Sequence, residues 1–211
     1  IKYIFSFFCA GEPSEQAQKK LLKQLGCESE EECLSLQYRG NGWPGFATAE
    51  KKDGTKQTMT YNDSWGKILG RDVRKCCRVC LDGIGEFADV SCGDAWYLTD
   101  EGKPDFTEKD GRNVIFARTQ SGVELLEQAC KCGYIVLNPY NNYEEVLKKI
   151  QRYQFDRRVT MGAMLSAMRL CGKNVPDYNK ETLKRFGKQA SLKQKIRRGL
   201  GTIKRIKQGK I

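Results

Sequence analysis

The chain has 211 residues, 39% of them hydrophobic, enough for one core-bearing domain and an appendage, and no apolar run approaches the roughly 20 residues of a bilayer-spanning helix. It contains no histidine, which removes Ser-His-Asp and Cys-His nucleophiles in their usual forms, Cys-His zinc sites and histidine-held haem. The net charge of +11 is uneven: residues 181–211 carry eleven basic residues and one acidic, so a nearly neutral body bears a cationic arm, a distribution that argues against specific DNA binding by a folded basic face.

In chain order, the apolar start IKYIFSFFCA is too short to span a membrane and runs into a helix rather than a cleavage site; residues 4–9 are expected to form a buried strand. Residue 1 is Ile and not Met, so a fragment or processed chain is expected. Pro13 and Ser14 open a helix over 15–25 with Ala17, Leu21, Leu22 and Leu25 on its apolar side and Gly26 as its stop. Residues 33–38 alternate like a strand and end in the turn-rich RGNGWPG of 39–45. Residues 46–50 and 57–61 form hairpin arms about Asp53-Gly54, and 64–69 one or two helical turns. Strands at 88–92 and 114–118, a helix at 123–132 stopped by Gly133, and a strand at 134–137 follow. From Asn142 onward the pattern is helical: 143–155, then 160–171, then the arm. The expected fold class is α/β (α+β), a mixed sheet flanked by helices with a cysteine-rich loop, followed by a helical basic arm.

Ten cysteines without an export signal, two of them adjacent (Cys76, Cys77), fit a reducing compartment with metal- or cluster-bound thiolates better than a disulfide framework, and a cytoplasmic location is expected. The run RKCCRVCLDGIGEFADVSCGDAW (74–96) holds Cys76, Cys77, Cys80 and Cys92. A Cys-x-x-Cys pair brings two thiolates close enough for one metal, one iron–sulfur cluster or a redox disulfide. Cys92 stands twelve positions beyond Cys80, and Cys9 ends a strand able to lie alongside. Four thiolates satisfy a [4Fe–4S] cube or tetrahedral zinc, spacing does not separate the two, and Cys76 rivals Cys77 as a ligand. Buried thiols in a turn are the plain alternative. Cys27, Cys33, Cys130, Cys132 and Cys171 read as packing residues.

The turn at 39–45 sets Arg39 among three glycines, a proline and Trp43; glycine lets the backbone approach a ligand, arginine pairs with phosphate and an aromatic ring flanks a ring system. Arg118-Thr119 before a helix suits a pyrophosphate at the helix N-terminus, as Arg112 suits phosphate. A structured turn and solvated arginines are the plain alternatives. Met161, Met164 and Met168 mark a buried helix face. In the arm, Leu192, Ile196, Leu200, Ile203 and Ile206 recur at spacings of four, four, three and three, an amphipathic stripe for an anionic membrane, an acidic partner or nucleic acid, or else a solvated tail.

Four blocks, FFCAGEPSEQAQKKLL (7–22), YRGNGWPG (38–45), CRVCLDGIGEFADVSCGDAW (77–96) and GRNVIFARTQSG (111–122), together resemble the coenzyme F-420 hydrogenase/dehydrogenase beta-subunit family in its C-terminal portion. The resemblance covers roughly residues 3–137. It implies a flavoprotein that binds FAD beside a [4Fe–4S] cluster, exchanges hydride with a deazaflavin or other organic carrier, and passes electrons to iron–sulfur partners such as a ferredoxin or a hydrogenase or dehydrogenase subunit. It makes Cys9, Cys77, Cys80 and Cys92 the cluster ligands. It places the flavin near Arg39, Gly40 and Asn41, near Gly93 and Asp94, and near Arg118 and Thr119. Members commonly carry a ferredoxin-type motif upstream, which would lie before residue 1. The implied division is a flavin and iron–sulfur domain at 1–140, a helical extension at 141–180 and a basic arm at 181–211, with 184–211 available for peripheral contact with an anionic membrane. The rival classes are a zinc-stabilised interaction module and an inactive adaptor, the arm binding RNA, an acidic partner or a membrane.

Overall fold

The structure, a computed structural model, describes residues 1–138 and 143–211, with side chains at all of these but 143–146. The 140/141 boundary and the helical start at Asn142 therefore lie outside the described residues.

Strand β1 (Phe5–Phe7) leads into α1 (Glu15–Gln24), then come β2 (Cys33–Gln37), β3 (Phe46–Lys51) and β4 (Lys56–Thr60). Helix α2 (Lys75–Val79) carries the cysteine pair into β5 (Val90–Asp94), the short β6 (Tyr97–Leu98) and β7 (Pro104–Asp105), then β8 (Asn113–Ala117) and α3 (Gln120–Lys131). The rest is helical: α4 (Tyr143–Ile150), α5 (Arg152–Val159), α6 (Met161–Leu170), α7 (Lys180–Gly187) and α8 (Leu192–Lys207). One three-stranded sheet has the order β1-β5-β8, with β1 parallel and β8 antiparallel to β5; a second is the antiparallel meander β2-β3-β4, and β6 and β7 pair antiparallel by themselves. The mixed α/β class is thus as expected.

Helix α1 starts where the sequence places it, because the Ser14 hydroxyl accepts the Ala17 N–H at 3.1 Å while donating to Asp72 at 2.7 Å. Its Ala17, Leu21 and Leu22 pack with Leu25, Cys27, Ile68 and Leu69 onto Ala47 and Ala49 of β3, both fully buried. Alanines on the strand leave room for leucines from the helix, and each fully buried leucine contributes about 2 kcal/mol. A second core joins Met161, Met164, Leu165 and Met168 of α6 to Ile206 and Ile211 and to Val79 and Leu81 of the cysteine segment. The helical third is thereby fastened to the cysteine segment.

Several expectations need correction. The strand at 4–9 is not buried: Phe5 and Phe7 are 63% and 70% exposed, because β1 is an edge strand while α3 packs on β8 and the start of β5. No strand forms at 134–137; past Gly133 the Tyr134 N–H bonds back to the Ala129 carbonyl at 3.0 Å, closing α3 rather than pairing with β8. The helix expected over 143–155 breaks at Gln151, whose side-chain amide is drawn to the Asp94 carbonyl at 2.5 Å. The arm is helical but does not stand free, since α8 packs along α6 and buries Thr202 and Ile211. Among the described residues no helix is long and apolar enough to cross a membrane.

Candidate functional site

The turn between β2 and β3 is built by its glycines. Gly45 has φ 78°, and a side chain there would run into the carbonyl oxygens of Gly40 and Gly42 at 2.5 and 2.7 Å. Asn41 also takes a positive φ, 55°, and stays exposed. This tight loop turns Arg39 inward. Its Nε donates to the Pro44 carbonyl at 2.6 Å and its Nη1 to Asp94 Oδ2 at 2.7 Å. The second oxygen of Asp94 accepts the Trp43 indole N–H at 3.3 Å, so one carboxylate at the end of β5 ties the turn to the first sheet.

Around this ion pair the aromatic side chains collect. Trp43 lies 4.8 Å from Trp96, which lies 5.2 Å from Tyr61 and 4.9 Å from Phe106. The Arg39 guanidinium stands 5.1 Å from the Trp96 ring and 5.5 Å from that of Tyr61, within cation–π range. Burial pushes the Tyr61 phenol up to about 12, with Arg39 opposing the shift, so it is a neutral O–H donor at physiological pH. Beside the cluster opens a cleft of about 400 Å³ lined by Tyr61, Trp65, Trp96, Phe106 and Tyr153, with Arg71 and Arg152 among its polar edges. Its wall at Asn62–Gly66 is a wide π-type turn, a geometry frequent at functional sites. All three tryptophans of the chain belong to this region. Sequence reasoning found Trp43 alone; the scarcity of tryptophan and its recurrence at 43, 65 and 96 was the available signal.

Cys9, Cys77, Cys80 and Cys92 are brought near one another in backbone but do not gather as a ligand group. The Cys9 N–H donates to Gly83 in the cysteine loop at 2.8 Å, and the Phe8 N–H to the Cys92 carbonyl at 2.7 Å. The Cys77 sulfur accepts the Glu12 N–H at 3.4 Å and lies 4.0 Å from that of Cys76, whereas the Cys80 thiol turns to the Asp82 carbonyl at 3.3 Å. Loop residue Gly85 rests on Ser6 and Ser91, so the loop covers the Ser91 face of β5. Cys92, one residue on, projects from the opposite face, and burial pushes its thiol up. All ten cysteines are free. Among the described residues no three Cys, Asp or Glu side chains gather to hold a metal. The chemistry of the donors suits a four-thiolate cluster; their placement here does not fit one.

Of the residues expected around a flavin, Arg39, Gly40, Asn41, Gly93 and Asp94 come together, Gly93 lying so close under the Phe8 ring that no side chain fits. Arg118 and Thr119 do not join them. They sit at the Val90 end of the β5–β8 ladder, four residues or roughly 13 Å from Asp94. Arg118 donates to Ser91 Oγ at 3.1 Å and to the Ile84 carbonyl at 2.7 Å, clamping the cysteine loop, and burial lowers its pKa. Thr119 caps α3 through the Gly122 N–H at 3.1 Å and bonds to Asp89, so this helix start already has its partner. Arg112 is also occupied, stacked 3.7 Å from the Tyr97 ring and bonded to the Ala95 carbonyl at 2.7 Å.

Residues 1–143 match the family model for the C terminus of the beta subunit of coenzyme F420 hydrogenase/dehydrogenase. The chain belongs to this family. Among solved structures it is similar to a chain of the F420-reducing [NiFe] hydrogenase complex from Methanosarcina barkeri, with a TM-score of 0.50 and 18% identity over 82% of this chain and 54% of that one. That likeness is one of fold, and the chain spans about half the length of its neighbour. No curated protein matches. The matched span of the family member holds both three-stranded sheets and α1–α3, hence the Arg39–Asp94 centre and the cysteine segment; α5–α8 lie beyond it.

Proposed function

We propose that this family member binds a flavin in the aromatic cleft and exchanges a hydride with an organic carrier, a deazaflavin of the F420 class being the one after which the family is named. The observation that carries this is the cleft itself, about 400 Å³ walled by Tyr61, Trp65, Trp96 and Phe106, with the Arg39–Asp94 pair set among the rings. Pockets of roughly 300–1,000 Å³ with aromatic walls and few polar groups are the usual form of cofactor sites. When bound, FAD supplies hydride acceptance and its release in one- or two-electron portions.

The chain's own residues bind and tune. The rings of Phe106 and Tyr153, 41% and 54% exposed, offer apolar surface to a planar heterocycle, with buried Trp96 behind them as support. Asp94 locks Arg39 in one orientation, and the fixed guanidinium stabilises negative charge that develops on a neighbouring ring. Tyr61, protonated at neutral pH, adds no opposing charge. Arg71 and Arg152, both exposed, suit the phosphates of a dinucleotide. Cys9, Cys77, Cys80 and Cys92 as placed fit no cluster, and hydride exchange at the cleft requires none.

Electrons then leave to an iron–sulfur partner, a ferredoxin or another subunit of a hydrogenase- or dehydrogenase-like complex, in the cytoplasm. Leu192, Ile196 and Leu200 of α8 are 72%, 52% and 63% exposed beside exposed Lys193, Arg197 and Lys204, a pattern that suits an anionic lipid surface.

Anaerobic incubation with FAD, gel filtration and absorption spectroscopy test the cleft. The expected result is near-stoichiometric flavin in the native chain and its loss in Trp96→Ala and Arg39→Met variants that keep their circular dichroism. A folded native chain that retains no flavin, or equal retention in all three, overturns the assignment. Stoichiometric zinc without flavin would favour the interaction-module class instead.

A further inference from the structure

Four arginines from three helices converge behind the cysteine loop: Arg78 of α2, Arg157 of α5, and Arg198 and Arg205 of α8. Arg157 is 5% exposed and its guanidinium lies against Gly83, where any side chain would displace it. The Arg78 side chain is 10% exposed. Nε of Arg78 and Nε of Arg198 are buried without a hydrogen-bond partner. What the others touch is weak: Arg198 Nη2 meets the Met164 thioether at 3.1 Å, and Arg205 Nη2 reaches the Thr202 hydroxyl at 3.5 Å. Burial first, then the neighbouring positive charges of Arg205, Arg157 and Arg78, lowers the pKa of Arg198; burial and Arg78 do the same to Arg205.

Among the described residues one carboxylate bonds to this group, Asp72, 3.3 Å from Arg78. Four guanidinium charges against one carboxylate leave an excess of three. Buried like charges without counter-ions are strongly unfavourable, and a fold that assembles them from three helices has a use for the field they make. A single carboxylate would leave the excess mostly unanswered. A phosphate or diphosphate brings at least two negative charges and several acceptor oxygens, matching the forked donors of arginine. Arg205 is half-buried and Tyr153 beside it is 54% exposed, so a small anion has access.

We propose that Arg78, Arg157, Arg198 and Arg205 form a binding site for a phosphate-class polyanion, either free as a phosphate ester or as the diphosphate of a dinucleotide.

The test uses the full chain free of flavin and iron, titrated calorimetrically with inorganic pyrophosphate at constant ionic strength against chloride. One saturable site is expected. Arg198→Met should weaken it by about tenfold to a hundredfold, the worth of a charge-assisted bidentate contact. The variant should remain folded, and in phosphate-free buffer it should melt no lower than the native chain, because it removes an unanswered buried charge. Lys193→Gln, exposed on the same helix, should bind as the native chain does. Absence of saturable pyrophosphate binding overturns the site, as does equal weakening by Lys193→Gln. Capture of an acidic peptide without pyrophosphate binding also overturns it, in favour of a protein carboxylate. Competition separates the two sources: displacement of pyrophosphate by FAD but not by riboflavin assigns the diphosphate of a dinucleotide, and no displacement by either assigns a free ester. Because the titration is done without flavin, its failure leaves the aromatic cleft untouched, and failure of flavin binding leaves this site standing.

Discussion

Asp94→Asn removes one charge from the centre of the aromatic cluster and almost no volume. The native carboxylate accepts from Arg39 at 2.7 Å and from the Trp43 indole at 3.3 Å, and the two side chains of the ion pair are 26% and 28% exposed. Asparagine can keep the indole bond through its carbonyl oxygen, and Gln151 bonds the Asp94 backbone, which the substitution leaves alone. What is lost is the charge on the acceptor of Arg39. A hydrogen bond to a charged group contributes about 1.5–3 kcal/mol, and exposure of a quarter of each side chain trims that to about 1–2 kcal/mol. For a chain of this size that is a fall in Tm of about 2–8 °C by differential scanning calorimetry. Glu101→Gln, which breaks the exposed Lys103–Glu101 pair, is the control and should leave Tm unchanged. Equal effects of the two substitutions, or no fall with Asp94→Asn, would show that the pair does not organise the cluster. The same variant should bind flavin more weakly, since an unpaired Arg39 no longer holds one orientation between the rings.

Gly122→Ala should lower stability by about 1–3 kcal/mol despite alanine's higher helix propensity, because the new methyl runs into the Asp89 carbonyl oxygen, whereas Gly162→Ala in α6, with open space around it, should be neutral or gain up to about 1 kcal/mol; urea denaturation distinguishes them. The Tyr61 phenol, pushed up to about 12, holds its proton in the folded chain after an unfolded tyrosine near 10 has lost it, so stability should fall as pH rises from 10 to 12 and fall less in Tyr61→Phe. Spectrophotometric titration should show one fewer late tyrosinate in the variant than in the native chain, where burial also pushes the Tyr38 and Tyr178 phenols up. Sedimentation with anionic liposomes should be lost in Ile196→Gln/Leu200→Gln and weaken steeply with salt, as exposed charges are screened within roughly 8–10 Å, while flavin content stays unchanged.

Local chemistry was legible in the chain and long-range pairing was not. Ser14 with the leucines behind it, Asp53-Gly54 between alternating arms, and Gly133 after α3 each act within a few residues, and each element lies close to where its pattern puts it. The turn at 39–45 was visible because glycine and tryptophan crowd it, yet its partners Asp94 and Gln151 lie 55 and, from Asp94, 57 positions away, and no periodicity announces such pairs. For the cysteines, spacing in sequence said that four thiols were near; strand parity, which sends Ser91 and Cys92 to opposite faces, decides where they point.

The arm shows most clearly why charge and hydropathy counts fall short. Counted along the sequence, Arg198 and Arg205 are two more charges of a cationic tail, and Leu192, Ile196 and Leu200 belong to a stripe expected to meet a membrane, an acidic partner or nucleic acid, or to remain a solvated tail. In the fold the basic residues divide between two faces. Helix α8 comes against α6 through Gly199, whose Cα side faces the Ala163 carbonyl, and through fully buried Thr202, so small residues set the contact and large ones are left out. That close approach carries Arg198 and Arg205 inward to Arg157 and Arg78, and it leaves the leucines and Ile196 beside solvent-facing lysines. One helix thus presents two unsatisfied faces of different kinds, an inner face that lacks negative charge and an outer one that lacks apolar cover. No single occupant answers both, which is why a polyanion within and a lipid surface without are separate expectations with separate assays.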